Sequence, residues 1–176
     1  MLNLPLPILT KRLELRGFRE TDGADLYEYL GDPEAVFFEP YDAYTREGAA
    51  REAARRATSP AFIAICLGEK LIGNVYLGPD EDPDAADIGY ILNRAYWGRG
   101  YATEAARAVI DATFALGVRR IRAGCAENNP HSWRLLERLG MRLMEKIPRA
   151  VTFKKDAAGN DIWFDARRYE LVNPVR

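Results

Sequence analysis

The chain has 176 residues, with 25 lysines and arginines against 26 aspartates and glutamates and a single histidine, so its formal net charge at pH 7 is −1. That balance leaves no electrostatic footprint for nucleic acid or a membrane surface. A length of this order suits one domain over residues 1–176, burying about 70% of the surface of the unfolded chain.

Only two cysteines occur, Cys66 and Cys125, each in an apolar stretch without a CxxC or a His-Cys grouping. They read as small core hydrophobes in a reducing compartment, and no metal is expected. The opening Met1-Leu2-Asn3-Leu4-Pro5-Leu6-Pro7 lacks a basic start and is broken by prolines, and no apolar run of 18 residues follows. Nothing targets the chain for export or a bilayer, so a cytoplasmic location is expected.

In chain order, residues 8–16 read as an opening strand. Asp22 caps a helix that Gly31 stops, and a second helix, rich in Ala and Arg, covers residues 46–57 after Thr45. Strands follow near residues 61–67, 71–77 and 86–93, the first two joined by a hairpin turn at Gly68-Glu69-Lys70. An amphipathic helix over residues 101–116 carries Ala102, Ala105, Val109, Ala112 and Leu116 on one face, with Gly117 as a left-handed cap. A strand at 120–126, a helix at 129–139 and two strands at 142–153 and 162–171, joined by a polar loop at 154–161, complete the chain. No internal repeat or low-complexity segment interrupts this mixed α+β order.

The chemically informative stretch is Tyr96-Trp97-Gly98-Arg99-Gly100-Tyr101-Ala102-Thr103-Glu104-Ala105. It sets two glycines between an apolar strand and an amphipathic helix, so the first N–H groups of the helix are left bare for an anion, favoured by the positive end of the helix dipole. A Walker loop is excluded because no Gly-Lys pair occurs. A dinucleotide fingerprint fails as well, since Thr103 stands where a third glycine is required and no acidic residue ends the next strand.

What remains resembles the pyrophosphate loop of the GNAT family of N-acetyltransferases. Its pattern Gln/Arg-x-x-Gly-x-Gly/Ala maps onto Trp97-Gly98-Arg99-Gly100-Tyr101-Ala102, with Trp in place of Gln or Arg. That substitution and its context are similar to the RimJ/RimL-like branch, which acetylates protein N-termini. Two further stretches look like that branch: Thr10-Lys11-Arg12-Leu13-Glu14-Leu15-Arg16, and Asn129-Pro130-His131-Ser132-Trp133-Arg134-Leu135-Leu136-Glu137-Arg138-Leu139-Gly140-Met141.

The resemblance implies an α+β fold with a single mixed, mostly antiparallel central sheet, splayed between its fourth and fifth strands and flanked by about four helices. It also implies acetyl-CoA as donor and a primary amine as acceptor, either a peptide N-terminus or a small molecule, attacking the thioester directly in a monomer or homodimer. Pantetheine would lie in the splay, between Tyr90-Ile91-Leu92 and Gly124-Cys125-Ala126. The cofactor-binding residues carried over are Ile91, Leu92, Trp97, Gly98, Arg99, Gly100, Tyr101, Ala102, Thr103, Asn129 and Ser132. In-class rivals are polyamine and antibiotic acetyltransferases, and the out-of-class rival is a CoA-binding module without transfer activity.

Transfer requires a held cofactor, an uncharged amine, an oxyanion donor and a proton for the leaving thiolate. For the base, Asp87 matches by its offset from the glycine loop; a solvated strand end is its plainer reading, and Glu39 and Glu127 are alternatives. For the acid, the Tyr that many GNAT enzymes place at the position of Leu136 is absent, which leaves Ser132; an ordinary first-turn serine is the competing reading. Asn129 before Pro130 is an N-cap in its own right, and His131 reads as an exposed residue at a helix start. Gly89 marks either a bulge or packing room in its strand. Arg99 is expected on phosphate, Arg134 and Arg138 on phosphate or on a solvated helix face, and Trp97 and Trp133 in packing, with Trp97 also placed to line the cofactor arm.

Overall fold

The computed structural model describes residues 2–174. The elements are β1 (Ile8–Leu9), β2 (Glu14–Gly17), α1 (Gly23–Leu30), α2 (Arg46–Ala57), β3 (Phe62–Leu67), β4 (Lys70–Pro79), β5 (Ala85–Leu92), α3 (Tyr101–Ala115), β6 (Arg120–Ala126), α4 (Pro130–Arg138), β7 (Arg142–Lys155) and β8 (Asp161–Val172). They form one eight-stranded sheet in the spatial order β1-β2-β3-β4-β5-β6-β8-β7. Every neighbouring pair is antiparallel except β5 and β6.

That parallel pair is short. Its register covers Ala85↔Arg120, Ala86↔Ile121 and Asp87↔Arg122 only, although β5 runs on to Leu92 and β6 to Ala126. Beyond Asp87 the strands part, which is the expected splay, here between the fifth and sixth strands because the opening segment supplies two. β5 keeps an unbroken antiparallel ladder to β4 from Ala86 to Leu92. Gly89 therefore marks no bulge; the gap opens because β6 turns toward β8, with which it pairs along its whole length.

The opening segment differs from the single strand expected. Residues 8–16 double back as a hairpin, with Ile8 opposite Leu15. The cause is Thr10: its hydroxyl accepts the Leu13 N–H at 2.9 Å and its own N–H reaches the Leu13 carbonyl at 2.9 Å, closing a tight turn. Asp22 does not cap α1 through its side chain. It ends a 3-10 turn at Glu20–Asp22 and lies buried, with both carboxylate oxygens 2.8 Å from the Arg16 guanidinium. Thr45 does cap α2, accepting from Gly48 N at 3.1 Å, and Gly117 takes a left-handed φ of +90°. The turn between β3 and β4 is tighter than read, because Lys70 already pairs with Leu67.

The sheet carries a core on each face. Period-2 alternation sends Ile63, Ile65, Val75, Leu77, Ile88 and Leu92 to the face covered by α3 and α4, where they meet Val109, Ile110, Leu135 and Leu136. The intervening Ala64, Cys66 and Ile91 face α1 and α2, and pack on Leu26, Tyr29, Leu30 and Ala53. Arg56 is 2% exposed on this second face, and burying its charge is offset by partners. Its guanidinium donates to Asn74 Oδ1 at 2.8 Å and to Glu52 Oε1 at 2.7 Å, while the Tyr29 hydroxyl donates to the same Asn74 oxygen at 3.0 Å.

Candidate active site

The site begins where β5 ends. Asn93 accepts from Ala95 N at 3.0 Å and starts a short turn that carries the chain into the glycine loop. Gly98 and Gly100 have φ of +72° and +79°, conformations that L side chains rarely adopt. A Cβ on Gly98 would meet nothing within 4 Å, and one on Gly100 only an Arg12 nitrogen at 3.5 Å. The loop is therefore glycine because of backbone conformation, and it faces open space. Gly100 offers α3 no side-chain cap, so the first-turn N–H groups, without intrahelical acceptors, face the cleft.

Arg12 holds this loop from outside. Its guanidinium donates to the Arg99 carbonyl at 2.9 Å and to Glu104 Oε2 at 2.6 Å, and it lies 4.4 Å from the centre of the Tyr101 ring. Glu104 also accepts from the Thr10 hydroxyl at 2.7 Å and from Arg12 N at 2.9 Å. Partial burial opposes ionisation of Glu104, yet these bonds from Thr10 and Arg12 hold its carboxyl below the ordinary range. The opening hairpin and the glycine-loop motif, separate in sequence, are one unit here.

The loop opens into a cleft of about 1550 Å³ that follows the splay. Single-ligand sites run to roughly 1,000 Å³, so the volume accommodates two reactants. Of the expected cofactor residues, Ile91, Leu92, Trp97, Gly98, Gly100, Tyr101, Ala102, Thr103, Asn129 and Ser132 line it. Arg99 does not: its side chain is exposed and only its carbonyl is engaged, by Arg12. Arg134 and Arg138 of α4 do line the cleft and are the better placed cations. Trp97 donates its indole N–H to the Leu92 carbonyl at 2.7 Å and sets its ring 5.6 Å from that of His131. Trp133 instead packs beneath Arg167, at 4.5 Å.

On the α3/α4 face of β5, Asn129 caps α4, its side chain accepting from Ser132 N at 3.2 Å. The Ser132 hydroxyl lies 3.0 Å from the Tyr90 hydroxyl, which also reaches the Ser132 carbonyl at 3.1 Å. Burial pushes the Tyr90 phenol up in pKa, against the Ser132 bond. Burial likewise takes the Cys125 thiol to about 11, again opposed by Ser132, so it is a protonated thiol and no nucleophile at neutral pH. Cys125 is half-buried at the cleft wall, whereas Cys66 is the core residue that both were expected to be. Leu136 is 1% exposed in the core. In the sequence Tyr90 is a strand residue beside the gap; its pairing with Ser132 is a contact between β5 and α4 that no local pattern announces.

On the α1/α2 face of β5, Asp87 reaches the cleft half-buried. Burial first, and the neighbouring Asp80 carboxylate second, raise its carboxyl to about 6, against a bond from Ile88 N–H. Tyr76, opposite Gly89, lies along β4 so that a Cβ on Gly78 would sit 2.0 Å from its hydroxyl. Gly78, paired with Asp87, thereby makes room for the Tyr76 ring beside that carboxylate. Glu39 also lines the cleft, its carboxyl raised by burial and opposed by a Tyr41 bond and the charges of Arg56 and Lys154. Glu127 does not line it: bonds from Arg167, and then from Lys146, hold its carboxyl down at about 2, which unfits it as a base. His131 is exposed at the cleft rim.

A family profile described as "Acetyltransferase (GNAT) domain" matches residues 12–142. The chain belongs to the GNAT family. The "Uncharacterized N-acetyltransferase YnaD" of Bacillus subtilis (strain 168) is 31% identical over 169 residues, 94% of this chain and 96% of the relative. An acetyltransferase (GNAT family) from Bacillus anthracis matches with a TM-score of 0.81 at 26% identity, over 96% of this chain and 99% of that one. RimL, a ribosomal L7/L12 alpha-N-protein acetyltransferase solved in complex with coenzyme A, matches with a TM-score of 0.80 over 96% and 98% of the two chains. At 18% identity it shows the shared fold. This GNAT chain is an N-acetyltransferase. Among the described residues no helix is long and apolar enough to cross a membrane, and no three potential metal ligands come together.

Proposed function

We propose that this GNAT enzyme is RimJ/RimL-like and transfers acetyl from acetyl-CoA to a primary amine by direct attack on the thioester. The residues present fit the donor: the open loop at Gly98 and Gly100 and the bare N–H groups of Tyr101, Ala102 and Thr103 suit a pyrophosphate. Arg134 and Arg138 stand where they would add positive charge, and Ile91, Leu92 and Asn129 would follow the pantetheine arm. When bound, acetyl-CoA supplies an activated acyl group and a thiolate leaving group.

The observation that carries the reading is the division of labour across β5. Asp87 stands on one face and the Ser132–Tyr90 pair on the other, at the point where β6 parts from β5. A carboxylate raised to about 6 is ionised at neutral pH yet basic enough to take an ammonium proton, directly or through water. The Ser132 hydroxyl, backed by the Tyr90 phenol, is placed to give a proton to the leaving sulfur.

The deciding experiment mixes the protein with acetyl-CoA and a panel of amines, reading free thiol and product mass. Stoichiometric CoA and acetyl-amine support transfer. A raised melting temperature with acetyl-CoA, but no CoA released with any amine, would leave a CoA-binding module and overturn it.

A further inference from the structure

The half of the cleft on the α1/α2 face carries a chemistry of its own. Its walls are aromatic: Phe37, Phe38, Tyr41, Tyr44, Phe62 and Tyr76 all border it. Its roof is the connection between α1 and α2, which the β7–β8 hairpin holds down. Phe37 and Phe38 set their rings edge-on to Phe164, at 5.8 and 5.9 Å, and Phe153 stacks on the far side of Phe164 at 5.0 Å. The Lys154 ammonium donates to the Tyr41 carbonyl and, at 3.3 Å, to Asp42.

Charge is polarised within this chamber. At the end nearest the splay Asp87 makes no ion pair among the described residues, because Arg122, its register neighbour on β6, is engaged by Asp80, Asp82 and Glu170. Asp80 itself is held by Arg122 at 2.7 Å. Toward α2 the charges are Arg55 and Arg56, which share Glu52 and cover the Phe62 ring at 4.9 and 4.4 Å, with the Glu39 carboxyl, raised by burial, beside them.

We infer that this chamber is the acceptor subsite, and that it takes a compact primary amine with an aromatic body, of the arylalkylamine class, its ammonium at Asp87 and its ring among Phe38, Tyr41 and Tyr76. The inference rests on the transferase reading and narrows its acceptor. An ammonium is favoured beside the uncompensated Asp87 carboxylate, and a planar ring is favoured between aromatic faces and edges. A polyamine fits less well, since its second charge would run toward Arg55 and Arg56, with Glu52 already shared between them and Glu39 the carboxyl that remains. A peptide N-terminus, the acceptor of the RimJ/RimL-like branch, fits badly as well, so the likeness to that branch is one of fold and donor loop. β4 and β5 spend their facing backbone groups on each other, and Tyr41 spends its hydroxyl on Glu39. The Tyr44 and Tyr76 hydroxyls are then the polar groups the rings offer to the peptide groups of the second and third residues, and each peptide group left unpaired costs about 1–3 kcal/mol.

The test uses the full chain, acetyl-CoA and three acceptor classes: 2-phenylethylamine and tryptamine, spermidine, and an alanine-initiated tetrapeptide. Product is read by mass and acetyl-CoA binding by thermal shift. The arylalkylamines are expected to exceed the other two in kcat/KM by at least about 10-fold. Tyr76→Ala and Phe38→Leu are expected to lower that value by about 10–200-fold, the range that a lost apolar contact commands, with the acetyl-CoA shift retained. Preference for spermidine or the tetrapeptide, or equal use of all three, overturns the inference and leaves the transferase reading standing. Turnover of no acceptor, with acetyl-CoA still bound, overturns the transferase reading itself. Variants that turn over arylalkylamines at the wild-type rate remove the chamber from acceptor recognition.

Discussion

On the α3/α4 face of β5 the cleft is made chiefly of backbone: two glycines with positive φ, the open first turn of α3, and the Asn129-capped start of α4. On the α1/α2 face it is made of side chains: aromatic rings from the α1–α2 connection and from β3 and β4, with Asp87 and Glu39 between them. On the proposed function the first face takes what every member of a donor class shares, a phosphate and an extended arm, and the second meets what differs among acceptors. Backbone sites tolerate little change at the glycines and much at their neighbours; side-chain sites respond to each ring in proportion to its contact.

The comparison is broken most severely at Gly100. Gly100→Glu forces a side chain onto a φ of +79° and sets a carboxylate beside Arg12, whose guanidinium holds the Arg99 carbonyl, so the loop that leaves the first N–H groups of α3 open is disturbed. At about 100 times its Kd, acetyl-CoA should stabilise the wild type by roughly 2.7 kcal/mol, and equal concentrations of ATP or NAD should not. Differential scanning fluorimetry should show the acetyl-CoA shift abolished in the variant. A shift of wild-type size would move the pyrophosphate away from this loop.

Asp87→Asn comes next and probes the other face. If Asp87 takes the amine proton, kcat should fall by about 10²–10⁴-fold with acetyl-CoA affinity unchanged. In the wild type, kcat/KM should rise with pH through about 6 as the carboxylate ionises, and the variant should lose that limb. Stability should move the other way. A carboxyl whose pKa is raised on folding favours the native state below its unfolded pKa of 3.8, and this contribution is lost as pH rises through about 6. Asp87→Asn should therefore melt higher than the wild type at pH 7, with the gain fading toward pH 4. A variant of normal kcat would pass the role to Glu39 or show that no base is needed.

Legibility in the sequence divides along the same line. The glycine loop, the helix start after Thr45 and the caps at Asn129 and Gly117 could be read because each depends on residues close in the chain and on rules of backbone geometry; the splay between β5 and β6 followed only from the family resemblance. Thr10 shows where such reading stops: its neighbours look like a continuous strand, yet it closes a turn on Leu13 and its hydroxyl is anchored on Glu104, 94 positions away. The Tyr76–Gly78–Asp87 arrangement depends on strand register, and the pinned aromatic roof depends on β8 returning beside β6. Neither leaves a periodic trace. Charge makes the same point: adjacency to the loop in sequence puts Arg99 on phosphate and leaves Arg134 and Arg138 between phosphate and a solvated helix face, whereas Arg134 and Arg138 line the cleft and Arg99 does not.

Ser132→Ala should have a smaller effect, because a thiolate of pKa near 8.5 is already a tolerable leaving group near neutral pH. A fall in kcat of about 10–100-fold is expected, with the acetyl-CoA thermal shift intact. A defect confined to acetyl-CoA binding would leave Ser132 as a first-turn residue of α4.

Tyr90→Phe should be the mildest and tells the two roles of Ser132 apart. The Tyr90 phenol has one proton and two acceptors in reach, the Ser132 hydroxyl at 3.0 Å and the Ser132 carbonyl at 3.1 Å. While the proton sits on the carbonyl, the Ser132 hydroxyl donates back to Tyr90 and its own proton is engaged. When the phenol turns to the Ser132 oxygen, the serine proton is freed toward the cleft and the oxygen is better able to carry charge. Removing the phenol deletes the second arrangement but leaves the serine in place, at the cost of one net hydrogen bond, about 0.5–1.5 kcal/mol. The corresponding fall in kcat is about 2–12-fold, and in a Ser132→Ala background the same substitution should change kcat by far less. Steady-state kinetics on the two single variants and the double variant measure that coupling. Full additivity would mean that Tyr90 supports the wall of the splay independently of Ser132, and the proton path would then run through the serine alone.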